Sequence, residues 1–174
     1  LANQSAPQFN NTSYVAWIAD QDLTHTFTKD ELIGVISSTR LLDAVPEMVY
    51  HYSDTHYTIL GKIIEVVSGL SLNEFMAQEF LAPNNLDQTR FITDGSLTTL
   101  PSPYITGHSL RQSNISVETE YNYSYDPGSG NLVTTPENLV RWIRSLIKAQ
   151  TRVSPEQITQ MQTITPPAAF YGLG

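Results

Sequence analysis

The chain has 174 residues, of which 40% are apolar and 15% are charged, and its formal net charge is −8 at pH 7. This length and composition suit one folded domain with its own core, and they exclude a disordered chain or one built on membrane spans. The shortage of Lys and Arg argues against nucleic acid as a partner, because contacts to phosphate need clustered positive charge.

Apolar side chains at helical spacing and capping residues predict five or six helices around one core. Three of these helices begin with a capping box, in which a hydroxyl is followed three residues later by Glu or Gln. The capping boxes begin at Thr28, Ser71 and Ser154. The other predicted helices begin near Ser13, Ser53 and Thr135.

The central predicted helix covers residues 53–69. Ser53 or Asp54 is expected to cap it with a side-chain oxygen, and Gly69 is expected to end it in the left-handed conformation. Gly costs about 1 kcal/mol relative to Ala inside a helix, so Gly61 predicts a close approach by another backbone. The expected buried face consists of Tyr57, Leu60, Ile63, Ile64 and Val67.

Residues 92–130 are rich in Ser, Thr, Asn, Pro and Tyr and have no helical period. This composition predicts irregular structure, with a small hairpin between Tyr104 and Leu110. The alternating Tyr121, Tyr123 and Tyr125 are compatible with a ligand groove, but a half-buried strand is the favoured interpretation.

The helix after Thr135 has Pro136 in its first turn, where the missing N–H of proline has no cost. Its expected buried face consists of Leu139, Trp142, Ile143 and Leu146. Together these elements predict a mainly α fold in which irregular segments separate the helices.

Tyr52-Ser53-Asp54 stands at the entrance of the central helix, within PEMVYHYSDTHYTILGKIIEVVSG at residues 46–69. This segment resembles the family of serine β-lactamases and D-alanyl-D-alanine carboxypeptidases, in particular class C β-lactamases, penicillin-binding proteins and their esterase relatives. The family carries a Tyr-x-Asn element, in some members Tyr-Ser-Asp, at this place. FLAPNNLDQTRF, GSGNLVTTPENL and YGLG resemble three further family segments in the same order.

The resemblance implies that residues 1–174 are a single helical domain of a β-lactamase/transpeptidase-like α/β fold, without its main sheet. Because the first residue is Leu rather than Met, we expect a processed or excised piece, a fragment of a larger serine hydrolase. The resemblance also implies a periplasmic or extracellular location.

By resemblance, Tyr52 is the catalytic base, while Ser53 and Asp54 bind substrate. A phenol with its ordinary pKa of about 10 is a poor base at neutral pH, and the family keeps this one partly ionised by neighbouring lysines. Asp54 replaces the usual Asn, which both donates to and accepts from a substrate amide, whereas an ionised Asp only accepts. A D-alanyl peptide, a β-lactam and an ester therefore all stay open as substrates.

The nucleophile motif of the family, Ser-x-x-Lys, precedes the tyrosine, and we expect it to be absent throughout this chain. The late Lys-Thr-Gly or His-Thr-Gly element does not occur either. We expect the chain to lack its nucleophile motif and to be inactive alone, with the reaction belonging to the parent protein.

The resemblance implies acyl-serine chemistry on a small-molecule or peptide substrate, with no metal and no organic cofactor. His25, His51, His56 and His108 show no metal-binding spacing. Two other classes stay open. One is a non-catalytic binding module that keeps the scaffold and self-associates through exposed apolar area; the other is a helical domain unrelated to hydrolases.

Overall fold

The computed structural model describes part of the chain, and every structural statement below concerns that part. The described residues are 8–9, 12–13, 25–37, 53–93, 100, 102–111, 114–117, 122–164 and 172. The helix predicted to begin near Ser13 and the candidate base Tyr52 lie outside them.

Helices dominate the regular structure of the described residues. The α-helices are α1 Lys29–Ser37, α2 Asp54–Ser68, α3 Leu72–Met76, α4 Pro136–Ile147 and α5 Pro155–Gln162. A π-helix at Ala77–Leu81 continues α3, and Tyr123–Tyr125 forms a short 3-10 helix. No helix in these parts of the chain combines the length and the apolar character needed to cross a membrane.

The strands are short and pair in twos. They are β1 Gln8–Phe9, β2 Thr12–Ser13, β3 Arg90–Phe91, β4 His108–Arg111, β5 Asn114–Val117 and β6 Leu132–Val133. The antiparallel pairs are β1 with β2, β3 with β6, and β4 with β5. The β3–β6 pair, with Arg90 opposite Val133, joins the end of the α3 region to the start of α4. The predicted α-rich fold with a small hairpin is confirmed, and no larger sheet occurs among the described residues.

The predicted helix starts are confirmed where the structure describes them. In the first capping box Glu31 accepts the Thr28 N–H at 2.7 Å, and the Thr28 hydroxyl accepts the Glu31 N–H at 3.2 Å. Ser71 and Ser154 begin reciprocal boxes of the same kind. Thr135 caps α4 ahead of Pro136. Each of these contacts is local, which is why the sequence alone predicts it.

The buried face of α2 differs from the predicted one. Leu60 is 52% exposed and Val67 is 81% exposed, whereas Thr55, Thr58 and Gly61 are buried. The helix packs against α1 and α3. Small side chains let these helices approach closely, so Thr55, Thr58 and Gly61 face the interior, whereas Leu60, Ile63, Val66 and Val67 are exposed.

Gly61 does mark a close approach, but side chains rather than backbone make it. A Cβ built on Gly61 would lie 3.0 Å from Cδ2 of Leu72 and 3.1 Å from Cε of Lys29. The prediction that Gly69 ends α2 is confirmed, since its φ is 72° and its ψ is 8°.

Three further predictions are corrected. In α4 the buried residue is Asn138, while Leu139 and Ile143 are exposed on the face predicted to be buried, because Asn138 hydrogen-bonds to the chain around Thr89. The hairpin covers β4 and β5, some residues later than predicted. Tyr123–Tyr125 is a 3-10 helix instead of a strand, since Asn122 caps it by accepting the Ser124 N–H.

Candidate active site at the start of α2

Ser53 and Asp54 lie where the chain enters α2, as the sequence predicts. Ser53 occupies the cap position, with φ −152° and ψ 123°, and is 1% exposed. Its side chain makes no cap hydrogen bond, so the prediction that a side-chain oxygen of Ser53 caps the helix is wrong. Asp54 is the first helical residue, where its negative charge is stabilised by the positive end of the helix dipole.

The structure brings a second segment to this helix end, here called the 122–131 loop. It contains the 3-10 helix and the sequence DPGSGN that follows it. A Cβ built on Gly128 would lie 2.7 Å from the carbonyl oxygen of Tyr57, and Gly128 has φ 103°. Only glycine fits both this backbone conformation and this distance, so the loop rests directly on the first turn of α2.

A buried polar network fixes the same loop from its other side. The Ser124 hydroxyl accepts the backbone N–H of Phe27 at 2.8 Å and donates to Oδ1 of Asn122 at 2.7 Å. Nδ2 of Asn122 donates to the carbonyl of His25 at 2.8 Å, and Asn131 donates to the carbonyl of Tyr123. Residues 25–28 and the 122–131 loop are thus tied together, which gives the loop a fixed position against α2.

Asp126 in this loop is a candidate functional residue that the sequence reasoning missed. Burial raises the pKa of its carboxyl, the Ser129 hydroxyl that donates to it opposes the rise, and the negative charge of Asp54 adds to it. Two carboxylates distant in sequence therefore lie near enough to repel each other at the start of α2. The Asp-Pro-Gly-Ser-Gly turn was the one local signal that pointed to a structured position.

One Ser-x-x-Lys interval does occur in the chain, contrary to the expectation that it is absent. Ser145 and Lys148 have this spacing, but they lie at the C-terminal end of α4 and after Tyr52 rather than before it. Lys148 is the residue at the end of that helix and is exposed. The order and the setting therefore differ from those of the nucleophile motif that the resemblance implies.

The described residues contain no cluster of metal-binding side chains. No group of three or more His, Cys, Asp or Glu side chains within this part of the chain is arranged to hold an ion. His25, for example, pairs with Glu31 at 3.1 Å on the surface.

Comparison with solved structures gives the same fold. A D-stereospecific amidohydrolase from Streptomyces sp. is 20% identical with a TM-score of 0.76, and the match covers 86% of this chain and 45% of that one. A D-amino acid amidase from Ochrobactrum anthropi is 18% identical with a TM-score of 0.72, covering 87% and 45%. The octameric penicillin-binding protein homologue from Pyrococcus abyssi is 24% identical with a TM-score of 0.64, covering 83% and 34%.

The chain thus spans less than half the length of each of these three relatives. A sequence model described as Beta-lactamase matches residues 2–174, which is nearly the whole chain. This match includes Tyr52-Ser53-Asp54 and the loop that rests on α2. The chain belongs to the β-lactamase family.

Proposed function

We propose that this chain is the helical-domain portion of a serine hydrolase, and that the parent protein hydrolyses an amide or ester through an acyl-serine. In this proposal Tyr52 is the base, and Asp54 and Ser53 face the substrate. The chain works without a metal or organic cofactor, in the periplasm or outside the cell. The family match excludes the alternative of a helical domain unrelated to hydrolases.

The observation that carries the proposal is the setting of Ser53 and Asp54. They open α2, and the 122–131 loop is fixed against the first turn of that helix by the contact between Gly128 and Tyr57. A group at the junction of loop and helix can point at a ligand while the helix behind it is held by packing. The coverage of less than half of the solved relatives supports a parent protein with further residues.

Asp54 and Asp126 bear on the choice of substrate. An ionised Asp54 accepts hydrogen bonds and attracts positive charge, and Asp126, whose pKa is raised chiefly by burial, adds to the negative potential when it is ionised. This environment disfavours the carboxylate of a β-lactam and favours an uncharged or ammonium-bearing substrate. Two of the relatives are a D-stereospecific amidohydrolase and a D-amino acid amidase, and an amide of a free D-amino acid carries such an ammonium group. We therefore place such amides first, ahead of D-alanyl peptides, β-lactams and esters.

The test uses the longer protein that contains these residues. Turnover is measured for D-phenylalanine amide, a chromogenic cephalosporin and p-nitrophenyl acetate, with the wild type and with Tyr52→Phe. Loss of a general base lowers kcat by about 10²- to 10⁴-fold, and we expect this loss for Tyr52→Phe with an unchanged circular dichroism spectrum. Wild-type kcat in Tyr52→Phe would overturn the role of Tyr52.

A second experiment concerns the 174-residue chain itself. We expect no covalent labelling by a fluorophosphonate or by a fluorescent penicillin, because the one Ser-x-x-Lys interval lies at the end of α4. Ser145→Ala is the control. Labelling of the wild type that disappears in Ser145→Ala would show that Ser145 is a nucleophile and that the chain is active alone.

The second candidate function is a non-catalytic binding module that retains the scaffold. The observation that favours it is the exposed apolar surface on two helices, with Ile63, Val66 and Val67 on α2 and Val140 and Ile147 on α4. Such surface on a chain that works alone is covered by self-association. Light scattering coupled to gel filtration discriminates: a stable oligomer of an inactive full-length protein favours the module, whereas a monomeric hydrolase excludes it.

A further inference from the structure

A cavity of about 200 Å³ lies between the α3–π-helix segment, β6 and α4. Met76, Phe80 and Trp142 form one side of it, and Leu132 and Leu139 are at its partly exposed edge. None of the residues that line the cavity, all of them described, is charged. None of them belongs to α2 or to the 122–131 loop, so the cavity is separate from the candidate active site.

The aromatic side chains give the cavity a defined shape. The rings of Phe80 and Trp142 pack edge to face, with centroids 5.9 Å apart and an interplanar angle of 78°. Phe80 belongs to the π-helix, whose wider turn is seen where the Ala82 N–H donates to the carbonyl of Ala77 at 3.0 Å. Single π-helical turns recur at functional sites, because they displace side chains from the ordinary helical positions.

One edge of the cavity is polar. The hydroxyls of Thr89 and Thr134 lie 2.8 Å apart. With its amide oxygen turned towards residues 88–89, Asn138 accepts the backbone N–H of Gln88 at 2.8 Å and the hydroxyl of Thr89 at 3.2 Å. Thr89 thus donates to Asn138, and the Thr134 hydroxyl directs its proton to the oxygen of Thr89 and, at 3.4 Å, to the carbonyl of Thr135. Thr134 lines the cavity, and its hydroxyl oxygen has two acceptor lone pairs, so it can accept a hydrogen bond from a ligand.

We propose that this cavity is a binding site for a small uncharged aromatic molecule that carries one hydroxyl donor, of the size of a substituted phenol. The volume is sufficient, since an engineered apolar cavity of about 150 Å³ binds benzene. The ring packs against Phe80 and Trp142, and the hydroxyl donates to Thr134. A charged ligand is excluded because no group in the lining compensates the loss of its hydration.

The test uses the 174-residue chain with p-cresol as the probe, followed by isothermal calorimetry and by the Trp142 indole N–H signal in NMR spectra, assigned with Trp142→Phe. We expect saturable binding with Kd on the order of 0.1 to 1 mM, as the size of the ligand allows. The charged analogue 4-methylbenzoate does not bind. An absence of saturable p-cresol binding, or equal binding of 4-methylbenzoate, overturns the proposal.

Two variants locate the site. Leu132→Trp places a large ring at the mouth of the cavity and raises Kd by about tenfold or more, whereas Leu60→Trp, on the exposed face of α2, changes it by less than about twofold. Circular dichroism tests whether each variant is folded. If Leu132→Trp is not folded, Leu139→Trp takes its place. Unchanged binding in a folded mouth variant overturns the proposal.

The hydroxyl contact has its own control. Wild type binds p-cresol more tightly than 4-methylanisole, which has no donor, and Thr134→Val removes this preference while leaving 4-methylanisole binding unchanged. A preference that survives in Thr134→Val contradicts the assigned orientation. The proposal uses no step of acyl transfer, so these outcomes are independent of the role of Tyr52.

Discussion

Lys29 of α1 and Glu65 of α2 form an ion pair, with 2.8 Å between Nζ and Oε1. The same carboxylate oxygen accepts the backbone N–H of Leu72, at the start of α3, at 3.0 Å. Both side chains are largely buried. One carboxylate near the C-terminal end of α2 therefore connects three helices.

We expect Glu65→Gln to lower the free energy of unfolding by about 1–3 kcal/mol, because the ammonium of Lys29 then loses its charged acceptor. Chemical denaturation at pH 7 measures the loss. Lys62→Met is the control, since Lys62 pairs with Asp30 on the surface, and we expect a clearly smaller change. Equal losses in the two variants would contradict the central position of Glu65.

The loss from Glu65→Gln also depends on pH. Burial acts to raise the pKa of Glu65, but the hydrogen bonds from Lys29 and from the Leu72 N–H outweigh it and hold the pKa below its ordinary value of 4.5. A carboxyl with a lowered folded pKa stabilises the protein above its unfolded pKa, and this stabilisation disappears as the pH falls through the folded value. The difference in the free energy of unfolding between wild type and Glu65→Gln should therefore be largest above pH 4.5 and decrease as the pH falls below it.

Gly128→Ala should displace the 122–131 loop from α2. Its φ of 103° is strained for alanine, and the added Cβ would lie 2.7 Å from the carbonyl oxygen of Tyr57. We expect a loss of about 1–3 kcal/mol in the free energy of unfolding. Gly34→Ala in α1 meets nothing within 4 Å and should instead stabilise by roughly 0.5–1 kcal/mol. An unchanged free energy of unfolding in Gly128→Ala would show that the loop can move away from α2 at little cost.

Local features of this fold could be predicted from the sequence, and contacts between distant segments could not. The capping boxes at Ser71 and Ser154 follow from residues three positions apart, and Gly69 ends α2 because few other residues adopt its φ. The buried face of α2 was predicted wrongly, because apolar residues such as Leu60 are not obliged to be buried. Thr58 is buried instead, because the short distance between α2 and its neighbouring helices leaves room only for small side chains.

In the candidate site, too, the local feature could be predicted from the sequence and the contact between distant segments could not. Tyr52-Ser53-Asp54 was found through the resemblance, and the structure confirms that Ser53 and Asp54 lie at the start of a helix. Their functional roles stay predictions. Asp126 was missed because its position beside α2 depends on the tertiary contact of Gly128, which leaves no period or spacing in the sequence.

Asp54→Asn should lower the pKa of Asp126. Burial raises that pKa first, and the charge of Asp54 contributes to the rise, so removal of this charge moves the pKa back towards its ordinary value of 3.8. The pH dependence of the carboxyl carbon signals in NMR measures the change. Asp30→Asn, which removes a charge from α1, is the control. An unchanged Asp126 titration in Asp54→Asn would show that the two carboxylates do not interact.

The same shift has a consequence for stability. Because the folded pKa of Asp126 is raised, the folded state keeps the proton to a higher pH than the unfolded chain does. The contribution of Asp126 to the free energy of unfolding therefore falls as the pH rises from 3.8 through the folded pKa. Asp54→Asn narrows this window, so the part of the pH-dependent stability that comes from Asp126 should be smaller in this variant.

Ser124→Ala tests whether the buried network holds the 122–131 loop. Ser124 is fully buried, and its hydroxyl is the acceptor for the Phe27 N–H and a donor to Asn122. Without the hydroxyl, the buried Phe27 N–H has lost its acceptor and the buried Asn122 side chain has lost its donor. We expect this to lower the free energy of unfolding by about 1–3 kcal/mol. Urea denaturation measures this cost, and faster hydrogen exchange at the Phe27 amide locates it.

Ser68→Ala is the matched control, because the Ser68 hydroxyl is exposed and bonds only within its own helix end, to the carbonyl of Ile64 and the N–H of Leu70. Surface substitutions of this kind change the free energy of unfolding by no more than about 0.5 kcal/mol. If Ser124→Ala is as mild as Ser68→Ala, the Ser124 hydroxyl is not needed to hold the loop, and the Gly128 contact and the Asn122 bond to the His25 carbonyl are sufficient. If Ser124→Ala also lowers the activity of the proposed parent protein at a temperature where it stays folded, the position of the loop matters for the site at α2.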